Sequence, residues 1–157
     1  MKVKTKTKFN LIKFILCLLI PQLIGILGSF FTASSVKSWY ITELVKPSFN
    51  PPSWVFAPVW TFLFILMGIS LYLVCNHKNN LFWFWTQLLL NLFWSILFFG
   101  LQSPQLAFYE IILLWFAILM TIIKFKKYNP IASILLWPYL AWVSFASFLN
   151  YSIMILN

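Results

Sequence analysis

The chain has 157 residues, of which 62% are hydrophobic and only 8% are charged. Soluble domains carry roughly 25% charged residues, so this composition argues against a soluble enzyme with a water-facing surface. The mean hydropathy of +0.92 and the long charge-free runs instead indicate an integral membrane protein with little mass outside the bilayer.

The net charge of +9 arises from eleven lysines, with no arginine and only two acidic residues, Glu43 and Glu110. The lysines lie at the start of the chain and in gaps between apolar runs, as is typical of charges that orient membrane helices. Arginine is the usual residue for phosphate and base recognition, so we expect no nucleic-acid partner. The two cysteines and the single histidine, His77, have no metal-ligand spacing, so we expect neither a metal nor a cofactor.

Apolar runs of about 20 residues, the length that spans a bilayer, follow one another along the chain. The first follows five lysines, and a cleaved signal peptide is the alternative interpretation, which its length and the lack of a clear cleavage site disfavour. The stretch 81–123 is too long for one span and breaks at a Gly- and Pro-containing turn, 100–104. We predict an all-α integral membrane protein, one domain over 1–157 with a bundle of five transmembrane helices at about 11–33, 51–75, 81–101, 105–123 and 130–155.

Lysine counting orients these helices. Nine lysines fall on the face that holds the N-terminus and the loops after the second and fourth spans, and two, Lys37 and Lys46, on the other. The positive-inside rule then predicts a cytoplasmic N-terminus and an external C-terminus. The longest loop, 34–50, is predicted to be external.

Prolines mark the approach to the second helix. Three prolines within 47–52 predict a stiff, extended segment, and Pro51 and Pro52 suit the start of a helix, where N–H groups are unbonded anyway. Pro58 and Pro138 lie deeper, and we expect each to bend its helix. A rigid loop of this kind is expected to cover the mouth of a pocket.

Four tryptophans fall well inside predicted spans: Trp60, Trp94, Trp115 and Trp142. An indole N–H within the bilayer needs an internal partner or a polar cavity. The sequence leaves two interpretations of each ring open, helix packing with a local hydrogen bond or the lining of a ligand pocket.

Helical spacing places further residues on shared faces. Gln87, Asn91 and Ser95 recur every four residues and must face the bundle interior, because amides in contact with lipid cost several kcal/mol each. This pattern fits interhelical hydrogen bonding, or an aromatic pocket that orients a flat ligand through a few polar groups. The other two shared faces hold Trp60, Phe64 and Gly68, and Trp142, Ala146 and Asn150.

Glu110 is the only acidic residue inside a predicted span. An intramembrane carboxylate is a candidate proton or cation partner, and a hydrogen bond to a loop or an interfacial tryptophan is the equal alternative. The sequence has no second titrating partner for it, so it makes a weak case for acid–base catalysis.

Several motifs resemble one known family. Trp39 and Tyr40 are followed by KPSFNPPSWVFAPVW from Lys46 to Trp60, and later by Pro-Tyr-Leu-Ala-Trp at 138–142. This order, over about residues 20–157, resembles the TspO/MBR family, the tryptophan-rich sensory proteins and translocator proteins. The resemblance implies a homodimer of five-helix subunits in a bacterial cytoplasmic membrane. It also implies a pocket for porphyrins, sterols and synthetic benzodiazepine-type ligands.

The resemblance also assigns residues to that pocket. In bacterial relatives, light-dependent porphyrin breakdown is tied to two tryptophans that match Trp60 and Trp142. These two are the only candidate catalytic residues, and only if such breakdown occurs here. The ligand-binding residues implied by the family pattern are Trp39, Tyr40, Pro47, Phe49, Pro51, Trp60, Phe64, Asn91, Phe98, Trp142 and Ala146.

Two departures from the family pattern bear on the ligand. Phe49 replaces a tryptophan common at that position, which changes the ring available for stacking. The sterol motif of animal members ends on a basic residue after its last tyrosine, whereas no Lys or Arg follows Tyr151.

These observations lead to one expectation and two alternatives. We expect a membrane protein that binds porphyrin-type and other flat hydrophobic ligands and acts in tetrapyrrole sensing, handling or stress response. The alternatives are light-dependent porphyrin degradation and a small-molecule transporter that uses Glu110. Five unequal spans show no inverted repeat, which argues against alternating access.

Overall fold

The computed structural model describes residues 9–76 and 81–157. The four lysines before Phe9, and His77 and Lys78, lie outside these ranges. All regular structure within the described ranges is helical. The prediction of an all-α bundle of five transmembrane helices is confirmed, since five segments are long and apolar enough to cross a membrane: Leu11–Tyr40, Ser53–Val74, Phe82–Gly100, Pro104–Lys126 and Pro130–Leu156.

Local sequence signals set where the helices begin. The side chains of Asn10, Ser103 and Asn129 each accept a hydrogen bond from a backbone N–H of the first turn, as N-caps do. Pro104 and Pro130 then occupy first helical positions, where no N–H is needed. The helices are α1 (Leu11–Ser35), α2 (Phe56–Val74), α3 (Phe82–Ser95), α4 (Pro104–Lys126), α5 (Pro130–Ile134) and α6 (Trp137–Leu156).

Short irregular turns extend three of the spans. π-helical turns at Val36–Tyr40 and Ile96–Gly100 continue α1 and α3, and a 3-10 turn at Ser53–Val55 precedes α2. The loop predicted at 34–50 is therefore shorter and later, at 41–52. The helix continues past residue 33 because 34–40 contains no Gly or Pro and because the Ser35 hydroxyl bonds to the Phe99 carbonyl on the neighbouring span.

The two deep prolines have different effects. The expectation that Pro58 bends its helix is wrong, because α2 begins at Phe56 and Pro58 lies in the first turn, where its missing N–H breaks no bond. Pro138 does interrupt the fifth span. It separates α5 from α6 at 135–136, since its ring and missing N–H prevent the preceding turn from continuing.

The spans pack in a closed ring. α1 packs against α2 and α3, α3 against α4, α4 against α5 and α6, and α2 against α5. The backbones of α2 and α6 stay apart, and aromatic side chains bridge them, with Trp60 against Tyr139 at 6.1 Å between ring centroids and Phe56 against Trp142 at 6.0 Å. The helices therefore pack closely in the half of the bundle that holds α5, which we call the solid half. They pack less closely in the other half, the loop half, which ends at loop 41–52 (the loop end).

Gly68 sets the closest helix contact in the solid half. A Cβ placed on Gly68 would lie 2.7 Å from Leu18 Cα and 2.9 Å from the Cys17 carbonyl oxygen. The neighbouring atoms are backbone, so they cannot move aside without displacing α1. Glycine at this position lets α1 and α2 approach where the core side chains Met67 and Phe84 are fully buried.

We expect Gly68→Ala to lower the free energy of unfolding by about 1–3 kcal/mol, because the added methyl group overlaps the α1 backbone. Thermal unfolding in detergent measures this. Gly100→Ala is the matched control, since its nearest neighbour is a movable side-chain atom, Phe31 Cδ1, at 3.2 Å. Equal stability of the two variants would contradict the close contact.

Candidate functional site

A cavity of about 390 Å³ lies within the loop half of the bundle. It is enclosed by α1, α2, α3 with its π-helical turn, and α6, and it occupies the space that the separated backbones of α2 and α6 leave open. Pockets for small organic ligands commonly measure about 300–1,000 Å³. The cavity is therefore large enough for a drug-sized or flat polycyclic molecule.

Aromatic rings form one side of the cavity. Trp60 stacks on Phe64 within α2, with centroids 5.5 Å apart and planes at 30°. Trp94 stacks on Phe98 at 5.1 Å and 19° on the α3 side. Trp142 of α6 also lines the cavity, with its ring edge-on to Phe56 at 6.0 Å. These rings present flat apolar surfaces, which is the chemistry that stacks on a planar ligand.

The residues that α1 contributes to the cavity wall include several with small or hydroxyl-bearing side chains. Gly25, Gly28, Ser29 and Thr32 line the cavity there. A Cβ on Gly25 would lie 2.3 Å from Phe64 Cε2, so any larger residue at this position would displace the Phe64 ring. The sequence interpretation missed this wall, although small and hydroxyl residues spaced three or four apart in α1 were a readable signal.

The mid-span tryptophans divide into two pairs by the partner of the indole N–H. Trp94 donates to Asn150 Oδ1 at 3.1 Å, and Trp115 donates to Ser144 Oγ at 2.8 Å. Within the described residues, the N–H groups of Trp60 and Trp142 have no acceptor, and both residues line the cavity. Trp94 and Trp115 are thus satisfied by packing partners, whereas Trp60 and Trp142 are cavity-lining residues whose N–H groups have no partner in the described part of the chain.

Asn91 supplies a polar group at the inner end of the cavity. Its Nδ2 donates to the Tyr139 hydroxyl at 3.1 Å, and this bond fixes the amide within a buried site. The Asn91 Oδ1 atom accepts no hydrogen bond from the described part of the chain, and it retains some accessible surface. Asn91 therefore adds an amide to a mainly apolar cavity wall.

The structure brings seven of the eleven predicted ligand-binding residues into the cavity wall and leaves four outside it. Trp39 lies behind the wall, with its ring edge-on to Phe98 at 5.6 Å. Phe49 stacks instead on Phe148 at 5.2 Å, and both rings are exposed. Pro47 and Pro51 lie in the loop. The seven in the wall are Tyr40, Trp60, Phe64, Asn91, Phe98, Trp142 and Ala146.

Loop 41–52 is attached to the ends of the first and fifth spans. Lys46 Nζ donates to the carbonyl oxygens of Tyr40 at 2.6 Å and Leu44 at 3.0 Å. The Tyr40 hydroxyl donates to Asn50 Oδ1 at 2.8 Å. The amide of Asn157 makes two 3.0 Å bonds with the backbone of Val45. These contacts hold the loop close to the loop end of the cavity.

Glu110 lies away from the cavity. It is a buried residue of α4, and neither carboxylate oxygen has a hydrogen-bond partner among the described residues. Gln87 is also buried and contacts Met67 Sδ through its Nε2 atom. The structure therefore does not place Glu110 on a path through the cavity, and its role stays open. The described ranges contain no group of three or more His, Cys, Asp and Glu placed to hold a metal ion.

Comparison with known proteins agrees with the fold and the motifs. The family model for the TspO/MBR family matches residues 17–156. The chain belongs to the TspO/MBR family. As a TspO/MBR protein with five apolar helices, it is an integral membrane protein surrounded by lipid.

Relatives within the TspO/MBR family match over most of their length. The tryptophan-rich protein TspO of Chlorobaculum tepidum is 49% identical over 149 residues, which cover 90% of this chain and 94% of the relative. The tryptophan-rich protein TspO of Archaeoglobus fulgidus is 46% identical over 156 residues, covering 94% and 99%. The translocator protein of Homo sapiens is 36% identical over 143 residues, covering 86% and 84%.

We expect Tyr40→Phe to loosen loop 41–52, because it removes the hydrogen bond to Asn50 without changing the ring. The loss of one such bond, about 1 kcal/mol, should speed amide hydrogen exchange at 44–50 about fivefold. Hydrogen-exchange mass spectrometry in detergent measures this. Tyr109→Phe, at an exposed tyrosine of α4, is the control and should leave the exchange unchanged. Identical exchange in both variants would show that the bond does not hold the loop.

Proposed function

We propose that the protein binds porphyrins, tetrapyrroles and similar flat hydrophobic molecules in the intramembrane cavity, and acts in tetrapyrrole sensing, handling or stress response. The observation that carries this proposal is the pair of unpartnered indole N–H groups, Trp60 and Trp142, in the wall of an aromatic hollow. A polar group left unpaired in an apolar site costs free energy that a ligand acceptor recovers.

The chemistry of the cavity fits a planar ring system with carboxyl groups. Stacked aromatic pairs at Trp60 and Trp94 match a flat apolar face, and the two N–H donors match carboxylate oxygens at the edge of the ring system. The Asn91 carbonyl oxygen matches a protonated carboxyl group. A porphyrin with carboxyl side chains carries these features, whereas an aliphatic chain carries no flat face.

We also propose a bacterial cytoplasmic membrane, a cytoplasmic N-terminus, an external C-terminus and a homodimer. Within the described residues, lysines at one end of the bundle are Lys13 and three at or after the end of α4, against Lys37 and Lys46 at the loop end. This distribution supports the orientation by the positive-inside rule. The homodimer rests on family resemblance alone.

We expect Trp60→Phe and Trp142→Phe each to weaken protoporphyrin binding roughly 3- to 10-fold, since each removes one N–H donor but keeps an aromatic ring. Titration of protoporphyrin fluorescence with protein in nanodiscs measures the Kd without using tryptophan emission. A Trp60→Ala, Trp142→Ala double variant should lose specific binding.

Trp115→Phe is the matched control, because its indole bonds to Ser144 and lies outside the cavity wall. It should bind protoporphyrin as the unmodified protein does. Unchanged affinity in the Trp60 and Trp142 variants, or equal losses in all three, would remove the cavity as the binding site.

Light-dependent degradation of bound porphyrin is the second candidate. The specific observation in its favour is that both Trp60 and Trp142 line the cavity, where an excited macrocycle could oxidise an indole or react with dissolved oxygen beside it. No metal or nucleophile–base pair is required for such photochemistry.

Illumination in air should bleach the porphyrin spectrum of the saturated complex several-fold faster than that of the saturated Trp60→Phe, Trp142→Phe complex. Absorption spectroscopy follows the loss. Bleaching at the same rate in a solution of free tryptophan and porphyrin would exclude a role for the protein. Glu110 gives no support to a transport function, since its carboxylate lies outside the cavity wall.

A further inference from the structure

The residues that line the cavity differ in exposure from one helix to another. Its lining residues on α3 and α6 are all buried or half-buried. Its exposed lining residues all lie on α1 or at the start of the second span, where they form two facing edges. These residues are Ile26, Ser29, Ser53, Ala57 and Thr61. The cavity therefore opens to the outside between the first and second spans, on the membrane-facing side of the bundle.

We call the opening between the first and second spans the gap. It is associated with a change in the helix against which α1 packs along its length. In the solid half, α1 lies against α2 at Gly68, and the Gln22 side chain donates to the Thr61 carbonyl at 3.2 Å. In the loop half, α1 leans on α3 instead. A Cβ on Gly28 would lie 3.1 Å from Ser95 Oγ, and Ser35 bonds to the Phe99 carbonyl. Closer to the loop end than the Gln22–Thr61 bond, Ser29 of α1 and Ala57 of α2 are both exposed.

The edges of the gap suit passage of an apolar molecule without water. The Ser29 hydroxyl donates to the Ile26 carbonyl at 2.6 Å, and the Thr61 hydroxyl donates to the Ala57 carbonyl at 2.9 Å. These two of the three edge hydroxyls are thus satisfied within their own helices and need no water, while the third, Ser53, lies at the start of the second span. Ser29 and Ala57 have short, exposed side chains.

The loop end, in contrast, is fastened on its water-facing side. Lys46, the Tyr40–Asn50 pair and the Asn157–Val45 pair tie loop 41–52 to the ends of two spans. These bonds oppose movement of the loop away from the loop end of the cavity. A molecule dissolved in the bilayer meets an opening already present.

We propose that the gap between α1 and the start of α2 is a lateral portal, through which flat ligands dissolved in the bilayer reach and leave the cavity. This inference rests on the proposed function, because it assigns a route to the same site. It restricts the ligands to molecules that partition into the membrane, and it makes Ser29 and Ala57 the residues that control the exchange rate without contacting the carboxyl groups of the bound ligand.

Stopped-flow exchange of protoporphyrin in nanodiscs tests the portal. We expect Ala57→Phe and Ser29→Phe each to lower both the association and the dissociation rate constant, by about tenfold. A blocked route slows both directions equally, whereas a damaged site raises Kd. Ala33→Phe adds the same ring to an exposed position of α1 outside the cavity wall, and exchange should stay at the unmodified rate.

Asn50→Ala provides the opposing test, because it releases loop 41–52 from Tyr40 without touching the gap. Unchanged exchange in this variant supports the portal. Faster exchange in Asn50→Ala, with normal exchange in both portal variants, would place the route under the loop and overturn the inference. Loss of dimers in the portal variants would mark the gap as an interface between copies and would also overturn it. Failure of the unmodified protein to bind protoporphyrin would instead refute the proposed function itself.

Discussion

The hollow in this bundle depends on the contacts of α1 with two different neighbours. Gly68 lets the N-terminal part of α1 pack closely against α2, and Gly28 lets the C-terminal part of α1 pack closely against α3. The first approach needs the absence of a side chain, since a Cβ on Gly68 would meet backbone, and the second brings Gly28 close to the Ser95 side chain. α1 therefore packs against α2 in one half of the bundle and against α3 in the other, and the cavity lies in the half where α1 packs against α3.

Hydrogen bonding inside the membrane then separates structural tryptophans from those available to a ligand. An indole N–H in an apolar medium has no water to bond, so each needs a protein partner or a polar ligand. Trp94 has Asn150, and Trp115 has Ser144. Trp60 and Trp142 have no such partner in the described ranges, and both face the hollow. The same chemical group thus has a protein partner at two positions and none in the described residues at the two cavity-lining positions, which is the basis of the proposed ligand site.

The water-facing end is organised by a different means. Loop 41–52 buries Leu44 and is also held by hydrogen bonds to helix ends. Lys46 bonds to the Tyr40 carbonyl oxygen at the end of the first span, where the helix leaves acceptors unpaired, and to the Leu44 carbonyl oxygen within the loop. Asn157, at the far end of the chain, bonds to the backbone of Val45. The loop therefore couples the ends of the first and fifth spans, and the closed water side contrasts with the open membrane side.

The sequence alone determined the number of spans and which polar residues face inward, because the cost of placing charges and amides in lipid is local and can be read from order and spacing. It also pointed to Trp60, Phe64, Asn91, Trp142 and Ala146 as residues on shared inward faces. It did not determine that α1 supplies a wall of the cavity, that Trp39 and Phe49 lie outside that wall, or that the first helix continues to Tyr40. Those facts depend on which helices touch at which height, and such contacts join residues far apart in the chain through packing that no local pattern encodes.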